Sequence, residues 1–393
     1  MASSDQYGLA AESLGLPSCL LNDEVMKRTS AFVLLLSALL SWGCQKESLK
    51  VYRPTDLRLQ WTGRTFADES GNTYLIGSAS SLKFAFHGDQ CKVWLRNAAA
   101  GQDYNYISLV VDGVHQPRQA IRFTSQTPID ITPEPSEDIH TVELYKETEA
   151  FNGAIIISKI EVDSLGTLPA ITRKKIEFIG NSITVGMSSD PSLVPCGTGM
   201  WYDQHNAYEA YGPRVARALD MDYMLTGFSG IGVYRNTRAD RPVMADLFPS
   251  TVLSPDPKTP RWDFKKFVPD IVSICLGTND FSAGDGASPR SPFDPNQFVP
   301  AYVSLLKMIY TQYPQTQIIL TNTPMLNAGQ NEILMQCLVR VKSDTERSIP
   351  GIKPLQLFSF SKPYQSGCQG HPSVEEHAMM AEEMVGHFRK FGL

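Results

Sequence analysis

Charge is scarce in this chain, and basic charge is scarcer than acidic. Of 393 residues 19% are charged, with 35 Lys and Arg against 41 Asp and Glu, a formal net charge of −6. No basic field exists to recruit phosphate backbones or anionic headgroups, which disfavours nucleic-acid partners and electrostatic membrane binding. The seven cysteines include no CxxC spacing, so no zinc site is suggested. The profile of a disordered chain is also missing, since hydrophobic residues make up 42% and are accompanied by 28 Gly and 26 Pro. What is present is a globular composition long enough for two or three domains.

Long apolar runs are absent except for one, residues 29–43 (TSAFVLLLSALLSWG), which follows Met26, Lys27 and Arg28 and precedes Cys44. This is the layout of a signal peptide, with an apolar core too short to span a bilayer comfortably. Gly43 before Cys44 resembles the lipobox of bacterial lipoproteins, in which the cysteine is lipidated and becomes the new N-terminus. Trp42 is looser than the common pattern. On this reading residues 1–25 are an upstream extension and 26–44 are the signal. The protein is then expected in the cell envelope, in the periplasm or outer membrane of a Gram-negative bacterium, or secreted, touching a membrane only through its lipid anchor.

From residue 50 to 165 the pattern is one of short strands. Leu82, Phe84 and Phe86 alternate with small or polar neighbours, as do Ile107, Leu109 and Val111, and Asp112-Gly113 marks a tight hairpin. Strand-like runs at 72–79, 91–96, 104–111, 139–146 and 154–163 have no helix between them. They predict an antiparallel, jelly-roll-like β-sandwich, read as a structural companion to the second half of the chain. The Gly- and Pro-bearing stretch 166–175 serves as a linker.

The period changes over 176–393. Apolar runs at 176–180, 223–227, 270–276, 317–322 and 354–358 alternate with helical spacing at 207–219, at 298–312 and from Ser373 onward. That alternation predicts a five-stranded parallel sheet of flavodoxin-like type, wrapped on both faces, with ligands held at the carboxyl ends of its strands.

Polar motifs collect at those ends: GNSIT (180–184), GFSGIGVYRN (227–236), LGTND (276–280) and, before the last helix, GCQGHPS (367–373). Four such blocks in this order resemble the SGNH (GDSL-type) hydrolase superfamily. Ser182, at a strand end where a turn into a helix would lift its hydroxyl above the sheet, is the candidate nucleophile, and His371 is the base that takes its proton and returns it to the leaving alcohol. Ser182 N–H, Gly230 N–H and the Asn279 amide are the candidate oxyanion donors. Asp280 reads as a brace for its loop, and Asn181 stands where the superfamily motif usually has Asp. A sandwich followed by these blocks is most similar to carbohydrate esterase family two. The resemblance implies removal of O-acetyl groups from plant-type polysaccharides or oligosaccharides, without metal or cofactor. Trp201, Tyr202 and Tyr208 are candidates for stacking on sugar rings.

The departure from the family pattern lies before His371. Positions that usually carry an orienting acid are Cys368 and Gln369, so a Ser-His dyad is the simplest reading. The orienting group is then a backbone carbonyl, the Gln369 side chain or an acid from elsewhere. Glu375 and Glu376 belong to the first turn of the last helix, where acids are expected anyway. Cys275 reads as a buried small hydrophobe. Cys196 and Cys368 both lie in loops near the active face, where an oxidising compartment would allow a disulfide. The alternatives are an SGNH lipase or thioesterase acting on longer acyl chains, and a carbohydrate-binding lipoprotein without activity.

Overall fold

Alternation of side chains across each strand builds the first half. The computed structural model describes residues 48–99, 103–134, 138–284 and 289–392; the expected signal segment, Cys44 included, lies outside the described residues. Two antiparallel sheets pack face to face. One runs Thr127–Ile131, Cys91–Ala98, Ala154–Val162, Thr73–Leu75 and Thr65–Ala67, with Lys50–Tyr52 added to Ala154–Val162. The other runs Ser164–Leu165, Ser81–His87, His140–Lys146, Asn105–Val111 and Val114–His115, with Gln60–Thr62 and Gln119–Ile121 on its flanks. Their inner faces contribute Phe84, Phe86, Val93, Leu95, Leu109, Leu144 and Ile157 to one core. Asp112 and Gly113 have φ of 50° and 79°, and Val111 pairs with Val114 across them. Positive φ at both central residues gives the turn whose twist matches its strands.

The second half is a five-stranded parallel sheet. Its strands are β1 (Lys175–Gly180), β2 (Asp222–Gly227), β3 (Ile271–Cys275), β4 (Gln317–Thr321) and β5 (Gln356–Phe358), in the spatial order β2-β1-β3-β4-β5. This is the flavodoxin-like order, in which the reversal beside β1 opens a crevice at the carboxyl ends. Helices α1 (Tyr211–Ala218), α2 (Pro295–Gln312), α3 (Ala328–Ser348) and α4 (Val374–Lys390) cover the sheet. Helices α1 and α4 bury Tyr211, Val215, Met380, Met384 and Phe388 on one face. Helices α2 and α3 bury Phe298, Tyr302, Leu306, Leu334, Leu338 and Val341 on the other.

Two local expectations fail. Residues 207–210 are turns, and α1 begins only at Tyr211. No helix follows Ser182; instead 181–187 winds in turns whose backbone bonds mix spacings, Val185 N–H to Asn181 O, Gly186 N–H to Ile183 O and Met187 N–H to Ser182 O. Gly186 and Ser188, both at positive φ, end the winding before a helix is established.

The two halves form one compact unit from Leu49 onward. Arg64, fully buried, leaves the sandwich and donates to Ser250 O at 2.6 Å, Phe248 O at 3.0 Å and Thr226 Oγ1 at 3.3 Å in the second half. Arg118 likewise reaches Asp190 Oδ2 at 2.9 Å and the carbonyls of Asp203 and His205, and the Tyr104 and Tyr106 hydroxyls donate to Asp203 Oδ1. The segment 186–206 is therefore held by sandwich side chains. Among the described residues no helix is long and apolar enough to cross a membrane.

Candidate active site

Three strand ends and one helix-entry loop converge at the crevice. Ser182 follows β1 directly, Gly230 follows β2, Asn279 lies in a short turn of 3-10 helix (Thr278–Phe281) after β3, and His371 stands just before α4. Ser182 Oγ lies 2.9 Å from His371 Nε2, so that with the ring proton on Nδ1 the hydroxyl donates to Nε2. Both side chains are nearly buried, at the floor of a cleft of about 560 Å³ that Gly230 and Asn279 also line.

The donors stand where charge would develop. Gly230 has φ of 79°, a conformation that favours glycine, and its carbonyl accepts from Thr237 N–H at 3.0 Å. Among the described residues no backbone carbonyl takes up the N–H of Ser182 or Gly230. Asn279 Nδ2 donates one hydrogen to Ile231 O at 2.7 Å, which fixes the amide and leaves its second hydrogen for the cleft. Asp280 accepts from Val233 N–H and Tyr234 N–H at 2.9 Å and more weakly from Arg235 N–H. It thus ties the β3 turn to the loop that carries Gly230. Burial pushes the Asp280 carboxyl up to about 7, against the pull of those three N–H groups. Asn181 Oδ1 accepts from Ile183 N–H at 3.1 Å and braces the Ser182 turn.

No carboxylate of the described residues is hydrogen-bonded to His371. Among the described residues its Nδ1 is buried without a hydrogen bond. The carbonyls of Gln369 and Cys368 favour the protonated ring. Burial is the larger effect and pulls the imidazole below its ordinary range. The loop around the ring is pinned from three sides. Cys368 is bonded to Cys196 with Cα atoms 5.3 Å apart; Cys368 N–H donates to Ser188 O at 2.8 Å; Gly367 N–H donates to His371 O at 2.7 Å. Glu376 is occupied by the N–H groups of Ser366 and Ser373, at 2.8 and 3.1 Å, and Glu375 by Ser373 Oγ. Neither glutamate bonds the imidazole.

This geometry can carry acyl transfer: nucleophile, base and oxyanion donors surround one point, with no acid behind the base. The "GDSL-like Lipase/Acylhydrolase family" model matches residues 178–344, and the "Carbohydrate esterase 2 N-terminal" model matches 61–171. The chain carries a GDSL-like lipase/acylhydrolase domain behind a carbohydrate esterase 2 N-terminal domain.

The chain is 30% identical over 337 residues to the cellulase/esterase CelE of Acetivibrio thermocellus, a match covering 82% of the chain and 38% of CelE. The chain thus spans well under half the length of that relative. An acetylxylan esterase / glucomannan deacetylase of Cellvibrio japonicus is 24% identical, with 86% of this chain and 89% of that protein covered. The solved family two carbohydrate esterase from Clostridium thermocellum in complex with cellohexaose superposes with a TM-score of 0.74. It is 27% identical, and 85% of this chain and 99% of that one are covered.

Of the three aromatic residues expected to face sugar, the fold places only Trp201 in the cleft. Tyr202 is fully buried, its ring 5.0 Å from that of Tyr104 and its hydroxyl accepting from Tyr104 N–H, so it packs the two halves together. Tyr208 is buried elsewhere, stacked on His115 at 4.2 Å beneath the Arg217 guanidinium. The cleft instead gains Phe151, Phe228 and Met325, with the exposed Phe151 ring 6.1 Å from Trp201 and 5.8 Å from Phe228. Phe151 and its neighbour Glu149 come from the sandwich, where no local motif in the sequence announces them.

Proposed function

We propose that the chain is a carbohydrate O-acetyl esterase that works by a Ser182-His371 dyad. The observation that carries this reading is the 2.9 Å contact of Ser182 Oγ with His371 Nε2 beside Gly230 and Asn279. Oγ attacks the acetyl carbonyl as Nε2 takes its proton, and the oxyanion is met by Ser182 N–H, Gly230 N–H and the free Asn279 amide hydrogen. His371 then gives its proton to the departing sugar oxygen. Water, deprotonated by the same imidazole, attacks the acetyl-serine and releases acetate. The Trp201, Phe151 and Phe228 rings offer a wall on which a pyranose ring can stack.

The relatives' names support acetylated xylan or glucomannan as the substrate class, and the cellohexaose complex supports a β-linked sugar chain in the cleft. The test is hydrolysis of 4-nitrophenyl acetate compared with the octanoate. Acetate alone is the expected result; preference for octanoate makes the chain a lipase or thioesterase, and turnover of neither makes it a binding protein. We also propose anchorage through Cys44, on the strength of the basic, apolar and Gly43-Cys44 sequence before it. Cys44→Ala should move the protein to the soluble fraction with unchanged specific activity, and persistent membrane attachment would contradict the anchor.

A further inference from the structure

Four consecutive polar residues, Lys146-Glu147-Thr148-Glu149, leave a sandwich strand and are all buried at the junction of the two halves. Lys146 Nζ donates to the carbonyls of Thr148 and Glu149, both at 2.7 Å, and so fixes the backbone that carries Glu149. The Glu149 side chain then leaves the sandwich and meets the loop after β2. Its Oε2 accepts Ser229 N–H at 2.7 Å, and its Oε1 accepts the Ser229 hydroxyl and lies 3.1 Å from His205 Nε2. A carboxylate 1% exposed is thus surrounded by donors from two elements of the other half. Removing it would take from the half-buried Ser229 N–H its acceptor.

Ser229 is the residue before Gly230. The Gly230 N–H belongs to the peptide plane that begins at the Ser229 carbonyl, so the torsions of Ser229 aim it. Glu149 holds Ser229 by main chain and side chain together, while Thr237 N–H holds the far side of Gly230 through its carbonyl. An oxyanion donor works only if it is aligned before charge develops, within about 10–20° and 0.5 Å. We infer that Glu149 is a positioning residue for the oxyanion loop, so that the β-sandwich completes the active site. This inference rests on the esterase reading above and deepens it.

The experiment is steady-state hydrolysis of 4-nitrophenyl acetate by the full chain, with active sites titrated from the burst of nitrophenol and folding checked by Tm. In Glu149→Gln one acceptor oxygen becomes an NH2 that faces donors. Its kcat per titrated site should fall about 10- to 100-fold with KM within about threefold, because the loss falls on the transition state. Ser229→Ala keeps the carboxylate and the N–H bond and deletes only the hydroxyl bond, so it should lower kcat about three- to tenfold at nearly unchanged Tm. A residue that merely joins the halves would lower Tm and the titrated fraction and leave kcat per site alone. That outcome in either variant, or in Ser229→Ala alone where Glu149→Gln does not fold, overturns the inference. Absence of turnover in the parent protein would instead overturn the esterase reading.

Discussion

At the residue scale the imidazole of His371 decides the pH behaviour. Burial favours its neutral form, so the base stays competent below the usual histidine value of 6.5. The acid limb of a kcat/KM profile on 4-nitrophenyl acetate should therefore have its midpoint below 6.5, and a midpoint above 7 would mean that an unseen acid stabilises the imidazolium. Asn279 yields a second expectation. Asn279→Ala removes the free donor together with the bond that holds Ile231 O, and kcat should fall roughly 10²- to 10³-fold. A change confined to KM would move Asn279 to substrate binding. Glu375→Gln and Glu376→Gln should leave kcat within about tenfold, because both carboxylates serve the capping of α4 and its approach loop. Ser182, Gly230, Asn279 and His371 were legible in the sequence because each sits in a short motif at an element end. Of the candidates Trp201, Tyr202 and Tyr208 only Trp201 lines the cleft, since an aromatic ring in a loop gives no sign in the sequence of which way it faces.

At the scale of elements, the loop before α4 is tied down beside the base. The Cys196–Cys368 bond spans 172 residues, and Cys368 stands three residues before the base. Long closures of this kind stabilise a fold by about 2–5 kcal/mol. Cys196→Ser with Cys368→Ser should therefore lower Tm by several degrees and lower kcat more than KM, since a slack loop misplaces the imidazole; unchanged kcat would place the aim of His371 in the helix alone. The apolar runs disclosed all five strands of the parallel sheet, because buried parallel strands are nearly continuous in Val, Ile and Leu. The turn after Ser182 was not disclosed. Gly186 and Ser188 take positive φ there, and their carbonyls accept from Asn206 N–H and Cys368 N–H, partners that leave no local pattern.

At the scale of the whole molecule the two halves are joined by buried polar side chains. Arg64 crosses from the sandwich to two carbonyls and a threonine of the second half, and Glu177 beside that threonine is pushed up by burial and drawn down by the guanidinium. Arg64→Ala should cost about 3–5 kcal/mol in chemical denaturation, as expected when one partner of a buried charged network is deleted. A loss below 1 kcal/mol would mean that the halves are held chiefly by apolar contact. The sequence showed two architectures, antiparallel and then parallel, because the hydrophobic period changes from two to mixed. It did not show their union, since Arg64, Arg118 and Glu149 are polar residues whose partners lie about 60 to 190 residues away and leave no local pattern.

The central claim is that Ser182, activated by His371 alone, removes acetyl groups from a carbohydrate. The measurement that tests it most directly is acetate release from acetylated xylan by the parent protein and by Ser182→Ala at equal concentration. Release by the parent and none above background by the variant is the result predicted. Equal release by both, or release by neither, would contradict the account.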